Sequence, residues 1–236
     1  MASNRFVKGK LYRILDYILR LILLNFLVVV PSFISLFIYS IFSKDTDTIW
    51  FYLTLVPIII WLFPSIVAVT DVIRQYEDDE TNTIFKDFFK SFAKHFIKSF
   101  IIGIVIYLLA MLFYNSFNYF YINQGKGITY LIGLIVTISF IFVVVYLIIH
   151  LPLVLVYFSD LTLLQYIKLA LIMAFKDFGT TFLMAIIAII VGTLSILFNY
   201  VMFFGGISLT VYLCVKLSYK HYIKIYRKVE KEWLKD

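Results

Sequence analysis

Three histidines and one cysteine hold most of the nucleophilic and metal-binding capacity of this 236-residue chain, and their spacing does not use it. His95, His150 and His221 lie far apart, without the separations of a metal site. Cys214 stands alone in an apolar stretch, so neither an internal disulfide nor a zinc knuckle can be built on it. The chain has no His-Glu-x-x-His, no Gly-x-Ser-x-Gly, no phosphate-binding loop and no Gly-x-Gly-x-x-Gly. No catalytic residue, cofactor or metal is therefore expected. Asp45 and Asp47 imitate a metal-binding pair, but in so short a polar loop they read as solvated charges marking a span end. The run Glu77-Asp78-Asp79-Glu80 lacks a positioning glycine and makes a poor cation cage. It suits the positive end of the dipole of a following helix.

The sharper candidates are polar residues within apolar runs: Asn25, His150 and Asn199. His150 lies two residues before Pro152, a proline that has no N–H and leaves the Ile148 carbonyl without its helical donor. A histidine in a membrane span is a functional hypothesis by default. The alternative is that it bonds a freed carbonyl or reaches the interface. Asn25 and Asn199 suit hydrogen bonds between helices, with substrate ligation as the alternative. No apolar run carries an acid near its centre, which disfavours a proton-coupled carrier of the usual kind.

The elements that must position these residues follow from composition. The chain is 63% hydrophobic and 15% charged. Ordinary soluble domains run at roughly 45–50% apolar and about 25% charged. That excess exceeds what a core can hold, because a soluble protein must still cover its surface with polar groups. A soluble globular domain, a disordered chain and a disulfide scaffold are excluded. The reading is an all-α, polytopic membrane protein forming a single integral membrane domain.

A span needs about 20 mostly apolar residues. Six are expected, at about 21–42, 49–70, 97–120, 128–158, 180–200 and 203–222. The stretch 182–217 is too long for one span, and Asn199 with Gly205-Gly206 offers a tight turn near its middle. Charge supports this count. With both termini and segments 71–98 and 159–181 in the cytoplasm, only Lys44 and Lys126 of the 21 lysines and arginines lie outside. The net charge of +7 thus faces anionic lipid headgroups rather than nucleic acid. A cleaved signal peptide is not expected, because the first apolar run is span-length and no small-residue cleavage site follows it.

Between the second and third spans an amphipathic interfacial helix is expected over about 83–98. Phe88, Phe89, Phe92 and Phe96 recur at helical spacing, with Phe85 and Phe100 extending the stripe. Lys86, Lys90, Lys94 and Lys98 recur every four residues on a neighbouring flank, as befits a helix in the headgroup plane. A weaker apolar face near the N-terminus comprises Leu11, Ile14, Leu15 and Ile18. The basic tail 223–236 continues a seam of Val215, Tyr219, Tyr222, Tyr226, Val229 and Trp233. That seam reads as packing on its own protein or as self-association. Phe96-Ile-Lys-Ser-Phe100 and Phe178-Gly-Thr-Thr-Phe182 suggest a parallel internal repeat or merely shared membrane composition.

Several of these segments resemble the YesL family of bacterial membrane proteins, whose function is unknown. The resemblance rests on Lys10-Leu-Tyr12-Arg13-Ile-Leu-Asp16, Leu23-Leu24-Asn25-Phe26-Leu27, Pro64-Ser65 and Asp78-Asp79-Glu80. It continues through Ile84-Phe85-Lys86-Asp87-Phe88-Phe89-Lys90-Ser91-Phe92. It covers the first hundred residues, with a less glycine-rich stretch at Ser32–Ser43 than the family usually has. The resemblance implies a bacterial cytoplasmic membrane and a supporting role in sugar use, with subunits of a sugar ABC transporter as partners. It carries over no catalytic residue. The Glu-Ala-Ala loop by which permeases dock their ATPase has no match in 159–181, which implies an accessory subunit rather than the permease. The leading expectation is a non-enzymatic accessory or scaffold protein; a small-molecule transporter or channel is the alternative.

Overall fold

The computed structural model describes residues 10–42, 48–78, 83–158 and 161–233. The Asp45/Asp47 loop and the second half of the acidic run fall outside them. The described chain is all α-helix, as hydrocarbon surroundings require of a backbone that must satisfy its own polar groups. Helix α1 is Lys10–Phe42, α2 Thr48–Glu77, α3 Ile84–Asn123, α4 Ile128–Tyr157, α5 Leu163–Lys176, α6 Phe178–Leu197 and α7 Ile207–Trp233. Among the described residues five segments are long and apolar enough to cross a membrane: Ile14–Phe33, Ile84–Lys126, Ile128–Tyr157, Phe178–Leu197 and Met202–Tyr219. The chain is therefore a multi-pass helical membrane protein.

Helix α2 is 30 residues long and packs on α1, α3, α4 and α7. Its later turns supply Val67, Ala68, Val69, Val72 and Ile73 to a core completed by Phe88, Leu151, Val154, Leu155, Tyr166, Met173, Val215 and Tyr222. The core thus gathers at one end of the bundle, the end bearing Arg74 and the lysines of α3. At the other end α3 and α4 form a hairpin with Leu108, Leu112, Ile132 and Ile135 turned outward. Gly133 permits this hairpin, since a Cβ there would lie 2.4 Å from the Phe120 ring. Gly206 does the same beside α6, where a Cβ would meet the Ser195 hydroxyl at 2.6 Å.

Two elements differ from the sequence expectation. Residues 84–98 and the third apolar stretch form one uninterrupted 40-residue helix, not an in-plane helix followed by a span. No proline or glycine stands between Ile84 and Ile102, so nothing ends the helix there. At 1.5 Å per residue it is about 60 Å long, twice the ~30 Å hydrocarbon layer, and so longer than a single crossing needs. Segment 159–181 instead contains a further amphipathic helix, α5. Thr162 and Gln165 form a capping box at its start, with the Thr162 N–H donating to Gln165 Oε1 at 2.8 Å. Tyr166, Ala170, Met173 and Ala174 face the core, while Leu164, Ile172 and Phe175 are exposed.

The expected turn after α6 is present. Helix α6 ends at Leu197, and the short Asn199–Val201 turn leads into a wide-wound segment, Met202–Gly206, in which Gly205 leaves helical geometry. The tail continues α7 as helix to Trp233, and Val215 and Tyr222 of its seam are buried against the bundle. The two repeat-like motifs occupy unlike places, since Phe96 lies inside α3 whereas Phe178 opens α6.

Candidate functional site

His150 is buried where α4, α6 and α7 meet. Its Nε2 lies 2.8 Å from Thr181 Oγ1 and its Nδ1 lies 2.8 Å from the Tyr222 hydroxyl. Thr181 has one proton, which it donates to the carbonyls of Ala174 at 3.0 Å and Asp177 at 2.9 Å. It can therefore only accept from His150, which makes the neutral Nε2–H tautomer the one that satisfies the whole chain. Tyr222 then donates to Nδ1. The histidine thus bonds two hydroxyls from other helices, not the Ile148 carbonyl freed by Pro152. Both partners lie beyond the reach of sequence spacing, 31 and 72 residues away.

Asn25 of α1 is fully buried against the break before α7. Its Nδ2 donates to the carbonyls of Met202 at 2.6 Å and Phe203 at 2.7 Å. Its Oδ1 accepts from the N–H groups of Ile207 at 3.0 Å and Ser208 at 3.2 Å. Those backbone groups belong to the segment in which Gly205 departs from helical geometry and to the first turn of α7. Both protons and both lone-pair sites of the amide are used. Ser208 ties the same two helices again, donating to the Leu21 carbonyl at 2.7 Å. Asn199, the third expected polar residue, has a side chain outside the described set.

A third constellation escaped sequence reasoning. Asp71, just past the apolar run of α2, is buried and accepts from Ser91 Oγ at 2.8 Å. Arg74 Nη2 lies 3.3 Å from it and His95 Nε2 3.6 Å, the latter an electrostatic contact beyond hydrogen-bond length. Burial alone would raise this carboxyl, but its contacts with His95, Ser91 and Gln75 and the Arg74 charge outweigh that and bring it down to about 2. Arg74 also sits over the Tyr157 ring, 5.7 Å from its centroid. The cluster bonds the end of α2 to the opening turns of α3 and to α4.

Around it Arg20 pairs with Asp16 at 2.8 Å, Tyr76 donates to Asp16 at 3.3 Å, and Tyr219 donates to Asp78. His221 lies 3.5 Å from Asp177. The apolar face noted near the N-terminus, Ile14, Leu15 and Ile18, points outward while Arg20 and Tyr17 turn toward the bundle, as lipid surroundings favour.

The residues expected at the membrane interface divide between two environments. Lys86, Lys90 and Lys94 are exposed, while Lys98 bonds the Tyr166 hydroxyl at 3.3 Å and lies over its ring. Phe88 is in the core, Phe92 and Phe96 are half-buried, and Phe89 is exposed. Phe92, Phe96 and Phe100 form a ladder of rings with centroids 5.3 and 5.8 Å apart, and Trp61 of α2 packs on Phe92 at 4.7 Å.

A cavity of about 660 Å³ lies among α2, α4, α6 and α7, and neither His150 nor Asn25 lines it. Among the described residues no group of three or more His, Cys, Asp or Glu is placed to hold a metal ion. His150, Asn25 and the Asp71 cluster each bond one helix to another.

Residues 46–117, under a third of the chain, match the family model described as a protein of unknown function, DUF624. The match spans α2, the acidic run and most of α3, and is consistent with the YesL resemblance. No curated protein and no solved structure matches the chain.

Proposed function

We propose that the chain is a non-enzymatic scaffold of the bacterial cytoplasmic membrane that supports a carbohydrate-uptake system of the ABC type. It crosses the membrane six times with both termini inside. The observation that carries the scaffold reading is the internal use of the two sharpest intramembrane polar side chains, His150 and Asn25. Both ring nitrogens of His150 and every hydrogen-bonding position of Asn25 are spent on other helices, leaving none for a solute.

The sixth span is α2, whose residues 49–70 are uncharged. With it, the positive-inside distribution puts the lysine flank of α3, helix α5 and the end of α7 on one cytoplasmic face. Lys86, Lys90 and Lys94 stand free of the bundle there, available to anionic headgroups or to a partner subunit. The link to sugar uptake rests on the YesL resemblance.

A strain lacking the protein should then grow poorly on particular oligosaccharides and normally on glucose, and truncation after Tyr222 should reproduce part of the defect. Unchanged growth on every oligosaccharide in a broad panel would remove the sugar-uptake role.

A further inference from the structure

We infer that the cavity among α2, α4, α6 and α7 is a binding site for one acyl chain of a bilayer phospholipid. Its walls come from Pro152 of α4, Val191 of α6 and Val211 of α7, in segments long and apolar enough to cross a membrane, and from Ile66 of α2, so the inference rests on α2 as the proposed sixth span. Three hydroxyls face it, and each is already committed within its own helix. Thr70 donates to the Ile66 carbonyl at 2.7 Å, Ser195 to Val191 at 2.8 Å and Thr210 to Gly206 at 2.8 Å. A polar solute would find little to replace its hydration there, and water needs two to four polar partners to stay. An apolar chain needs none.

Size and access agree with that occupant. The volume of about 660 Å³ falls within the ~300–1,000 Å³ of ligand sites. Along α7 the wall runs from Gly206 to Val215, a rise of about 14 Å, close to half of the ~30 Å hydrocarbon core. One leaflet's depth of chain therefore fits lengthwise. The wall also includes Gly192 and Ile196 of α6, both exposed, the latter at 82%. The cavity thus opens sideways through the lipid-facing surface of α6, and a chain enters without leaving hydrocarbon. Left empty, the lining would forfeit its dispersion contacts on one side.

Gly192 supplies the test. A Cβ added there meets nothing within 4 Å, and Gly192 lies on the exposed part of the wall, so Gly192→Phe adds a ring at the opening. Gly179, in the first turn of α6 and away from the cavity, is equally open and makes Gly179→Phe a matched control. The full chain is reconstituted in nanodiscs of phosphatidylglycerol and phosphatidylethanolamine containing a phospholipid with a diazirine on its acyl chain. Illumination should cross-link that lipid to cavity residues such as Ile66, Val191 and Val211 as well as to outward-facing Leu108 and Phe140. Gly192→Phe should abolish the cavity cross-links and leave those at Leu108 and Phe140 unchanged, whereas Gly179→Phe should alter neither. Wild-type cross-links confined to outward-facing positions would overturn the inference. So would cavity cross-links that persist in Gly192→Phe, or protein-to-protein cross-links through the cavity, which would assign it to a second copy of the chain.

Discussion

Replacing Asn25 by leucine should unfasten α7 from α1, because leucine keeps the branched outline of four heavy atoms but makes none of the hydrogen bonds. The substitution removes the side-chain partner of the Met202 and Phe203 carbonyls and of the Ile207 and Ser208 N–H groups. Hydrogen bonds between membrane helices average about 0.6 kcal/mol, so four average bonds put the expected loss at about 2 kcal/mol. Asn25→Asp should fare no better, since it presents a carboxylate to two carbonyl oxygens. The matched control is Asn115→Leu, because Asn115 is exposed and, among the described residues, bonds the Met111 carbonyl of its own helix at 2.9 Å. Reversible unfolding in mixed detergent–SDS micelles, followed by circular dichroism, reads both. If Asn25→Leu lost less than about 0.5 kcal/mol, or no more than Asn115→Leu, the break after α6 would not depend on this side chain.

Tyr222→Phe removes the donor to His150 Nδ1 and should cost about 1–3 kcal/mol. Combined with His150→Ala it should be clearly less than additive in a double-mutant cycle, whereas additive losses would mean the two groups act separately. Asp71 is held at about 2 against an ordinary value near 3.8, so its contribution of about 2 kcal/mol is fully present above pH ~4 and lost as pH falls toward 2. Asp71→Asn should flatten the stability profile in that window; an unchanged acid limb would refute the assignment. In a Cys214→Ser background, Lys126→Cys should react with a membrane-impermeant maleimide in intact cells and Lys176→Cys only after permeabilisation. The reverse pattern would invert the topology.

The legible parts of this fold were those written in hydropathy. The span 128–158 corresponds closely to Ile128–Tyr157, and the turn near Gly205-Gly206 follows from a run too long to cross once. Helix α3 was misread as two elements because its lysine flank resembles an in-plane helix. Charge pattern describes a helix's surroundings, whereas continuity is decided by the absence of a breaker. Helix α5 is too short to register as a span, and its signals are local ones: the Thr162–Gln165 cap and the Tyr166–Ala170–Met173 stripe. The polar site was legible only as single residues. Asn25 stood out as polar in an apolar run, but its partners at 202–208 come from the far end of the chain. Asp71 stands at the edge of a charged segment, where nothing in its spacing marks it as buried; only the packing of α3 on α2 brings Ser91 and His95 to it.

The central claim is that the polar groups within the membrane hold helices together rather than serve a solute, and solute flux tests it most directly. The purified chain, reconstituted alone in sealed liposomes, is assayed for uptake of radiolabelled mono- and oligosaccharides and for ion leakage, alongside His150→Ala. The account predicts flux equal to that of empty liposomes for both proteins, with His150→Ala distinguished only by earlier unfolding. Solute movement by the wild-type protein that is abolished in folded His150→Ala would contradict it and make the chain a transporter.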